Sequence, residues 1–329
     1  MNLVLITSRS FGGVSGVGKK MLIEAGLDVK EVALSDRPLT EEKTIKIMGR
    51  ENPDIVICGA ELMSRSVMEA SPRLFLIMKH GVGVDNIDLQ AANQLKVLVA
   101  NAPGTNTEAV ADFSIAVMLS LLRRVYQAVR STKAGGWERF IGHELRALTI
   151  GVVGTGRIGQ SVIRRLRGFG SNILACDIVY SDQLVTMPNL QYVSLDELLK
   201  HSDIVTLHVP LSSETNKMIG HRELALMKKT AYLVNLARGE LVDQVALCEA
   251  LQENRLAGAA VDVYDIEPPQ NSPLIGLDNV LATPHIAAYT YESMERMDHM
   301  CAQTIIDTLR GEICVNILNP QVLSELKRS

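Results

Sequence analysis

The segment TIGVVGTGRIGQSVIRRLRGFGSNILACD, residues 149–177, decides the fold of this chain. It opens with an apolar, β-branched run at 149–153 that predicts a buried strand. Three glycines follow with the spacing Gly-x-Gly-x-x-Gly, and apolar residues then recur on one face of a predicted helix. A second apolar run at 172–176 ends in Asp177, 18 residues after the third glycine. The segment therefore predicts a strand–turn–helix–strand unit with an acidic residue at its end.

Each part of this unit suits a dinucleotide. Gly154 permits the tight turn, Gly156 lets the backbone approach a pyrophosphate, and Gly159 removes a side chain where the helix meets the strand. The helix N-terminus offers unpaired N–H groups and positive partial charge to the phosphates. Asp177 can accept hydrogen bonds from the adenosine ribose hydroxyls, and its charge would repel a 2′-phosphate. We therefore expect NAD rather than NADP, whereas the glycines alone would also fit an ordinary tight turn.

Composition predicts a soluble protein of two domains. The chain has 329 residues, of which 47% are apolar and 21% charged, and this length usually divides into two domains. A net charge of −4 without a block of Lys and Arg argues against a nucleic-acid partner. The longest apolar run is too short to cross a bilayer, the N-terminus lacks a secretory leader, and the five cysteines lack Cys-x-x-Cys spacing. We expect a cytoplasmic protein with no metal and no membrane partner.

Strand-like and helix-like segments alternate along the rest of the chain. The first third contains five apolar runs separated by segments with helical spacing, and the rhythm resumes after Asp177. This alternation predicts parallel sheets covered by helices on both faces. We expect one long helix from the boundary at 101–112 to about Lys133, and a helix at about 290–310 that packs on the first domain.

Polar side chains follow the predicted strands of the second half. Those strands are 203–210, 231–238, 256–263 and 279–286. In an open parallel sheet, ligands collect at the carboxyl ends of the strands. The candidate residues at these ends are His208, Pro210, Asn235, Arg238, Asp262, Glu267 and His285.

Three of these candidates form a working set for the reduction of a 2-keto acid. Arg238 can bind the substrate carboxylate through its planar fork. His285 can deliver a proton to the carbonyl oxygen. Glu267 can orient the imidazole and favour its protonated form. Taken singly, Arg238 would also fit a surface arginine, Glu267 the start of a helix, and His285 an ordinary loop histidine.

Two further stretches suggest contacts. In HGVGVDNID, which begins at His80, Gly81 and Gly83 expose backbone N–H groups that could hold a small anion, although a plain glycine turn is the alternative. Trp137, the only tryptophan, is expected at a subunit interface or beside the cofactor, with the core as the alternative.

The chain resembles the D-isomer-specific 2-hydroxyacid dehydrogenases from about residue 54 to 318. The motifs that carry the resemblance, in chain order, are HGVGVDNID, NAPGTNTEAVAD, GVVGTGRIGQ, LHVPLSSETNKMI, LVNLARGELVD, AAVDVYDIEPP and TPHIAAYT. The resemblance implies an α/β fold in which a Rossmann NAD-binding domain is inserted into a flavodoxin-like substrate domain. The expected ranges are 1–101 and 288–329 for the substrate-binding domain and 102–287 for the NAD-binding domain. It also implies a homodimer.

The resemblance assigns roles to single residues. It makes His285 the acid/base, Glu267 its partner and Arg238 the substrate-binding arginine. The backbone amides of Val82 and Gly83 are expected to contact the substrate carboxylate. Lys79 is a further expected substrate contact, because it could supply positive charge, as could His80 and Arg9. The expected cofactor contacts are Gly154, Thr155, Gly156, Arg157, Ile158, Gly159, Asp177, His208, Val209, Pro210, Thr215, Leu236, Ala237, Asp262 and Thr107. Asp262 would bond the nicotinamide carboxamide, and Thr107 would approach the nicotinamide.

The expected reaction interconverts a small D-2-hydroxy acid and its 2-keto acid. Glu267 stands where the formate dehydrogenase branch has glutamine, so formate is disfavoured. The catalytic core is phosphoglycerate-dehydrogenase-like, with no regulatory domain expected after Ser329. However, Cys58-Gly59 replaces the Arg-Ser pair that helps to hold the 3-phosphate, and Glu61 would repel a phosphate. The alternatives are a hydroxypyruvate or glyoxylate reductase and, from another class, an NAD-sensing binding protein like the corepressors of this fold.

Overall fold

The computed structural model describes residues 1–33, 35, 37, 39–270, 272–312 and 314–326. The strands are β1 (Leu3–Ile6), β2 (Asp28–Glu31), β3 (Ile55–Cys58), β4 (Leu76–Lys79), β5 (Leu98–Ala100), β6 (Thr149–Val153), β7 (Asn172–Cys176), β8 (Leu190–Tyr192), β9 (Ile204–Leu207), β10 (Tyr232–Asn235), β11 (Gly258–Val261) and β12 (Val280–Ala282). The helices are α1 (Val17–Glu24), α2 (Glu41–Glu51), α3 (Arg65–Glu69), α4 (Leu89–Gln94), α5 (Thr107–Leu122), α6 (Val125–Lys133), α7 (Arg157–Phe169), α8 (Asp182–Val185), α9 (Leu195–His201), α10 (His221–Leu226), α11 (Gln244–Gln252), α12 (Tyr291–Leu309) and α13 (Gln321–Leu326). They form two compact units: unit 1 comprises Met1–Asn106 and Tyr289–Ser329, and unit 2 comprises Thr107–Ala288.

Unit 1 is built on a five-stranded parallel sheet with the order β2-β1-β3-β4-β5. This is the flavodoxin-like order, in which the chain reverses its direction of winding between β1 and β3. β3 shows why the sheet needs helices on both faces. Ile55 and Ile57 pack into one apolar cluster, and the alternating Val56 and Cys58 pack into another. All four side chains are fully buried, as the unbroken apolar run predicts.

The long helix α12 belongs to unit 1. It begins after Thr290, whose side chain accepts a hydrogen bond from the backbone N–H of Ser293. Its close partner is α1, where a Cβ on Gly18 would lie only 2.7 Å from the carbonyl oxygen of Asp298. The missing side chain at Gly18 therefore allows the two helices to pack with their backbones close together.

Unit 2 is built on a seven-stranded parallel sheet with the order β12-β11-β10-β9-β6-β7-β8. Read from β8, the strands follow the Rossmann order, and the winding reverses between β6 and β9. Apolar clusters cover both faces of the sheet. The predicted α/β class with two parallel sheets is confirmed. The switch point lies at the carboxyl ends of β6 and β9, where ligands of open parallel sheets bind.

The single long helix predicted up to Lys133 is wrong. The structure has two helices, α5 and α6, which are separated at Arg124 by a left-handed backbone with φ of 50°. The guanidinium of Arg124 lies 5.1 Å from the centroid of the Phe140 ring. Most of α5 is buried, whereas none of the nine described residues of α6 is. The break therefore separates a core helix from a surface helix.

Two further searches cover the described residues only. None of the described helices is both long and apolar enough to span a membrane. Among the same residues, no three or more His, Cys, Asp or Glu side chains are grouped so as to hold a metal ion.

Candidate active site

The glycine turn after β6 has the shape that a pyrophosphate requires. Gly154 has φ of 94°, and a Cβ there would lie 2.7 Å from the carbonyl carbon of His208, across the switch point. A Cβ on Gly159 would lie 2.0 Å from the carbonyl oxygen of Gly154. A Cβ on Gly156 would meet no atom within 4 Å. The first and third glycines are therefore needed for packing, while the second borders open space at the N-terminus of α7, where a phosphate group fits.

Asp177 lies at the end of β7 beside this turn, with its carboxylate held by the backbone. One oxygen accepts hydrogen bonds from the N–H and the hydroxyl of Thr155, and the other accepts one from the N–H of Val179 at 3.1 Å. Burial acts to raise the pKa of Asp177, but these hydrogen bonds outweigh it and the pKa lies below its ordinary value. The group is therefore an ionised acceptor at neutral pH, as a partner of ribose hydroxyls should be.

Tyr192, which the sequence reasoning missed, extends this network. Its hydroxyl donates to Oγ1 of Thr155 at 3.0 Å and accepts from the N–H of Ser181 at 3.2 Å. Its ring stacks on that of Tyr180 at a centroid distance of 4.2 Å. The available signal was an aromatic residue with a polar tip at the end of β8, the strand next to β7.

On the other side of the switch point, the loop after β9 is ordered by its own side chains. The Nε2 atom of His208 lies 3.0 Å from Oγ1 of Thr206, and burial lowers the pKa of His208 to about 4, so this histidine is neutral at pH 7. Thr215 donates to the carbonyl oxygen of Pro210 at 2.7 Å. The remaining predicted cofactor contacts of unit 2 lie in the first turn of α7, in the loops after β9 and β10, and at the first position of α5: Arg157, Ile158, Val209, Leu236, Ala237 and Thr107.

Arg238 is positioned by the loop after β10. The side-chain amide of Asn235 donates to the carbonyl oxygen of Arg238 at 2.7 Å, and its oxygen accepts from the N–H of Ala237 at 3.2 Å. A Cβ on Gly239 would lie 2.1 Å from the carbonyl carbon of Tyr264 in the loop after β11. The two loops are therefore in direct contact, and this brings the charge of Arg238 near that of Glu267.

His285 and Glu267 are brought together, although they are 18 residues apart. The Nδ1 atom of His285 lies 2.8 Å from Oε2 of Glu267. The imidazole is half-exposed, so its opposite edge is open to a ligand. Burial acts to raise the pKa of Glu267, but the hydrogen bond and charge of His285, the N–H of Tyr264 and the charge of Arg238 hold it below its ordinary value. Glu267 is therefore a permanent anion beside the histidine.

Asp262 holds the turn that carries His285. The backbone of His285 is left-handed, with φ of 55°. The fully buried carboxylate of Asp262 accepts hydrogen bonds from the N–H groups of Ile286 at 2.9 Å and Ala287 at 2.8 Å, and from the Thr283 hydroxyl at 2.6 Å. The structure thus gives Asp262 a supporting role that the sequence did not predict, while its contact with the nicotinamide stays a prediction.

The predicted substrate residues of unit 1 lie at the carboxyl end of β4. The carbonyl oxygen of Val82 accepts a hydrogen bond from the side chain of Asn101 at 2.6 Å, which anchors the glycine loop that includes Gly83. Lys79 is buried, and its ammonium group donates to the carbonyl oxygen of Gly59 and to Oδ1 of Asn86. The loop and the lysine are thus ordered parts of the sheet edge, and their contacts with substrate stay predictions.

A Rossmann sheet with a glycine turn, an ionised carboxylate at the end of β7 and a His–Glu pair at the strand ends defines an NAD-dependent oxidoreductase. The NAD binding domain of D-isomer specific 2-hydroxyacid dehydrogenases matches residues 115–287. The chain belongs to this family, whose members oxidise or reduce 2-hydroxy acids at the CH–OH group with NAD as cofactor.

Similar proteins carry several substrate names. The chain is 42% identical over 264 residues to a glyoxylate reductase of Korarchaeum cryptofilum, covering 78% of this chain and 80% of that one. It is 40% identical over 295 residues to a D-3-phosphoglycerate dehydrogenase of Methanocaldococcus jannaschii, covering 89% of this chain but only 56% of the relative. Its fold matches a crystal structure of Aquifex aeolicus D-lactate dehydrogenase with NAD and lactic acid, with a TM-score of 0.83, 30% identity and coverage of 96% and 99%.

Proposed function

We propose that this enzyme interconverts a small D-2-hydroxy acid and its 2-keto acid at the strand ends of unit 2. The observation that carries the proposal is the 2.8 Å contact between Nδ1 of His285 and Oε2 of Glu267. Bound NAD supplies the hydride acceptor, and NADH the hydride donor. In the direction of reduction, His285 delivers a proton from Nε2 to the carbonyl oxygen of the substrate, while Glu267 stabilises the imidazolium and fixes its orientation.

The substrate carboxylate is assigned to cationic and amide donors. Arg238 binds it as a bidentate fork and polarises the adjacent carbonyl. The backbone amides of Val82 and Gly83 are its further partners.

The substrate itself is proposed to be of the phosphoglycerate dehydrogenase type. The support is the likeness to the phosphoglycerate dehydrogenase over 89% of this chain. Reduction of hydroxypyruvate or glyoxylate is the second candidate, because the Korarchaeum relative is a glyoxylate reductase.

The direct test is NADH oxidation against a panel of keto acids. We expect turnover by the wild type, and a loss of roughly 10²–10⁴-fold in kcat for His285→Ala, the range for a lost general acid. Binding of NADH, measured by fluorescence, should be unchanged. His221→Ala, an exposed histidine of the same unit, is the matched control. Wild-type turnover in the variant would refute the assignment, and tight NADH binding with no turnover on any acid would favour a corepressor-like sensor.

The cofactor contacts have a separate test. Replacing Asp177 by serine removes the charge that would repel a 2′-phosphate, so the preference for NAD over NADP should fall. Equal discrimination before and after the change would show that the ribose contact lies elsewhere.

We further propose a homodimer that forms through an exposed apolar face of unit 2. We assign to this face four exposed apolar side chains, Val125 and Val129 on α6 and Trp137 and Ile141 in the loop that follows, of which Trp137 and Ile141 are 81% and 92% exposed. A place for Trp137 in the core is thus wrong, and its place at a subunit interface stays a prediction. Light scattering would show twice the mass of one chain.

A further inference from the structure

Unit 1 has a topological switch point of its own, between β1 and β3. Ligands of open α/β sheets bind in the crevice at such points, beyond the carboxyl ends of the strands. In this sheet the segment Thr7–Arg9 follows β1 and the segment Gly59–Glu61 follows β3. The two segments touch, because a Cβ on Gly59 would lie 3.3 Å from Cα of Ser8. The loops after β1 and β3 therefore form one continuous edge at the switch point.

Arg37 reaches this place from the loop after β2. Its Nη2 donates to the carbonyl oxygen of Ser8 at 3.2 Å. Its Nε is shielded from solvent and has no hydrogen-bond partner among the described residues. Burial lowers the pKa of Arg37, the charge of Glu61 opposes this, and the charge of Arg9 adds to it. The arginine side chain as a whole is only partly buried, so its other guanidinium N–H groups can donate to an anion that enters from solvent.

Lys79 and Glu61 complete the set of charges. The ammonium group of Lys79 is 2.5 Å from the carbonyl oxygen of Gly59, which belongs to the same crevice. The carboxylate of Glu61 is turned back onto the strand ends, where Oε1 accepts from the N–H of Gly59 at 2.9 Å and from the hydroxyl of Thr7. This engagement removes part of the repulsion that the sequence predicts between Glu61 and a phosphate.

Three cationic side chains, Arg9, Arg37 and Lys79, border the switch point. Among the described residues, Glu61 and Glu31 are the acids whose charges act on Arg37. Glu31 forms an ion pair with Lys19, and the buried Asp298 is paired with His80. The group made of Arg9, Arg37 and Lys79 is named here the cationic cluster.

The cationic cluster is continuous with the glycine loop. A Cβ on Gly81 would lie 3.2 Å from Cε of Lys79. Val82 and Gly83 follow directly, and the proposed function gives their amides to the substrate carboxylate. With the carboxylate held by this loop, a substituent on C3 of the substrate would extend from the loop toward the cationic cluster.

We propose that the cationic cluster is the subsite for a phosphate monoester on C3 of the substrate, with Arg37 as its specificity-determining residue. The proposal rests on the proposed function for the placement of the carboxylate. A phosphate monoester carries close to two negative charges at neutral pH, which suits a crevice bordered by three cationic side chains. The guanidinium groups of Arg37 and Arg9 donate to its oxygens, so Arg37 takes the part of the Arg-Ser pair that is missing at Cys58-Gly59.

The test compares phosphohydroxypyruvate with hydroxypyruvate, two keto acids that differ only in the phosphate. The wild type should prefer the phosphorylated acid in kcat/KM by at least about tenfold, as a lost charge-assisted hydrogen bond would predict. Arg37→Gln should lower kcat/KM for phosphohydroxypyruvate by about 10- to 100-fold and leave hydroxypyruvate within about twofold. Arg37→Lys should keep part of the preference. Arg50→Gln, which removes an exposed positive charge of α2, is the matched control.

Three results would overturn the subsite. They are equal losses on both acids, no preference in the wild type, or a stronger preference for a 2-keto dicarboxylate such as oxaloacetate. A second measurement does not need turnover: D-3-phosphoglycerate should raise the melting temperature of wild-type protein with bound NAD more than D-glycerate does, and Arg37→Gln should abolish the difference. An enzyme that turns over no keto acid refutes the proposed function, whereas an equal thermal shift by the two acids refutes the subsite alone.

Discussion

The chemistry of the site depends on a single carboxylate beside the imidazole. Glu267→Gln keeps the shape of the side chain but removes its charge. We expect kcat/KM for keto-acid reduction to fall by about 10- to 100-fold, because His285 loses the anion that orients its ring and stabilises the imidazolium. The measurement is a pH profile of kcat/KM, with Glu253→Gln, an exposed glutamate of unit 2, as control.

The acid side of that profile follows from the direction of the pKa shift of Glu267. Burial acts to raise this pKa, but the opposing effects of His285, the N–H of Tyr264 and Arg238 are together larger. The pKa of Glu267 in the folded protein is therefore below its ordinary value. A carboxyl group with a depressed pKa stabilises the fold at pH values above the pKa that it has in the unfolded chain. This stabilisation is lost as the pH falls through the pKa that it has in the folded protein. Wild type should therefore lose no activity through Glu267 down to about pH 5. An identical profile for Glu267→Gln would contradict the role assigned here.

At this scale, sequence predicts residues that follow strands and misses residues that reach a site from elsewhere. Arg238, Glu267 and His285 could be proposed because each comes soon after a predicted strand. Arg37 could not, because it acts across the end of β1 from a loop that follows a different strand. Tyr192 was missed because the bond from its hydroxyl to Thr155 depends on strand pairing.

The glycine turn, taken as one element, separates folding from cofactor binding. Gly156→Ala places a Cβ in open space at an ordinary φ of −69°, so the free energy of unfolding should stay the same or rise by about 0.4–1 kcal/mol. Affinity for NADH should nevertheless fall by at least about tenfold, because the methyl group occupies the approach of the pyrophosphate. Urea unfolding and fluorescence titration measure the two effects.

Two other glycines provide the comparison. Gly159→Ala would press its Cβ against the Gly154 carbonyl, so it should lose about 1–3 kcal/mol of stability. Gly168→Ala lies late in the same helix and has open space around it, so it should lower neither the free energy of unfolding nor the affinity for NADH. Unaltered NADH affinity in Gly156→Ala would place the pyrophosphate elsewhere.

The pairing of β7 with β8 supports a second prediction at this scale. Tyr192→Phe keeps the stacked ring but removes the donor to Thr155, which holds the carboxylate of Asp177. We expect the dissociation constant of NADH to rise by about two- to tenfold, the cost of one hydrogen bond, while kcat at saturating NADH stays the same. Tyr180→Phe retains both the stack and the Tyr192 hydroxyl and serves as control. A fall in kcat alone would argue against this positioning role.

The break between α5 and α6 shows what sequence cannot predict about an element. Arg123 and Arg124 are good helix formers, and the apolar pattern continues past them. The left-handed turn at Arg124 is stabilised by tertiary contact, since its guanidinium lies over Phe140. A local pattern contains no information about such a distant partner, so it predicts one helix.

At the scale of the whole molecule, the two sheets were predictable because parallel strands buried on both faces appear as unbroken apolar runs. β3 and β9 are examples, and every residue in them is buried. The order of strands within each sheet is not a local property, because it depends on which strands pair. The resemblance to a family supplied it, and the structure then placed the two switch points.

The exposed apolar face of Val125, Val129, Trp137 and Ile141 leads to a prediction about assembly. A stable interface buries about 800 Å² on each partner, so a charge introduced among its apolar side chains should weaken association. Val129→Asp should therefore halve the molar mass measured by light scattering at micromolar concentration and leave NADH binding intact. Val245→Asp, at an exposed valine on α11, introduces the same charge outside the face and should leave the mass unchanged. If Val129→Asp and wild type have equal mass, the subunits associate through another surface or remain single.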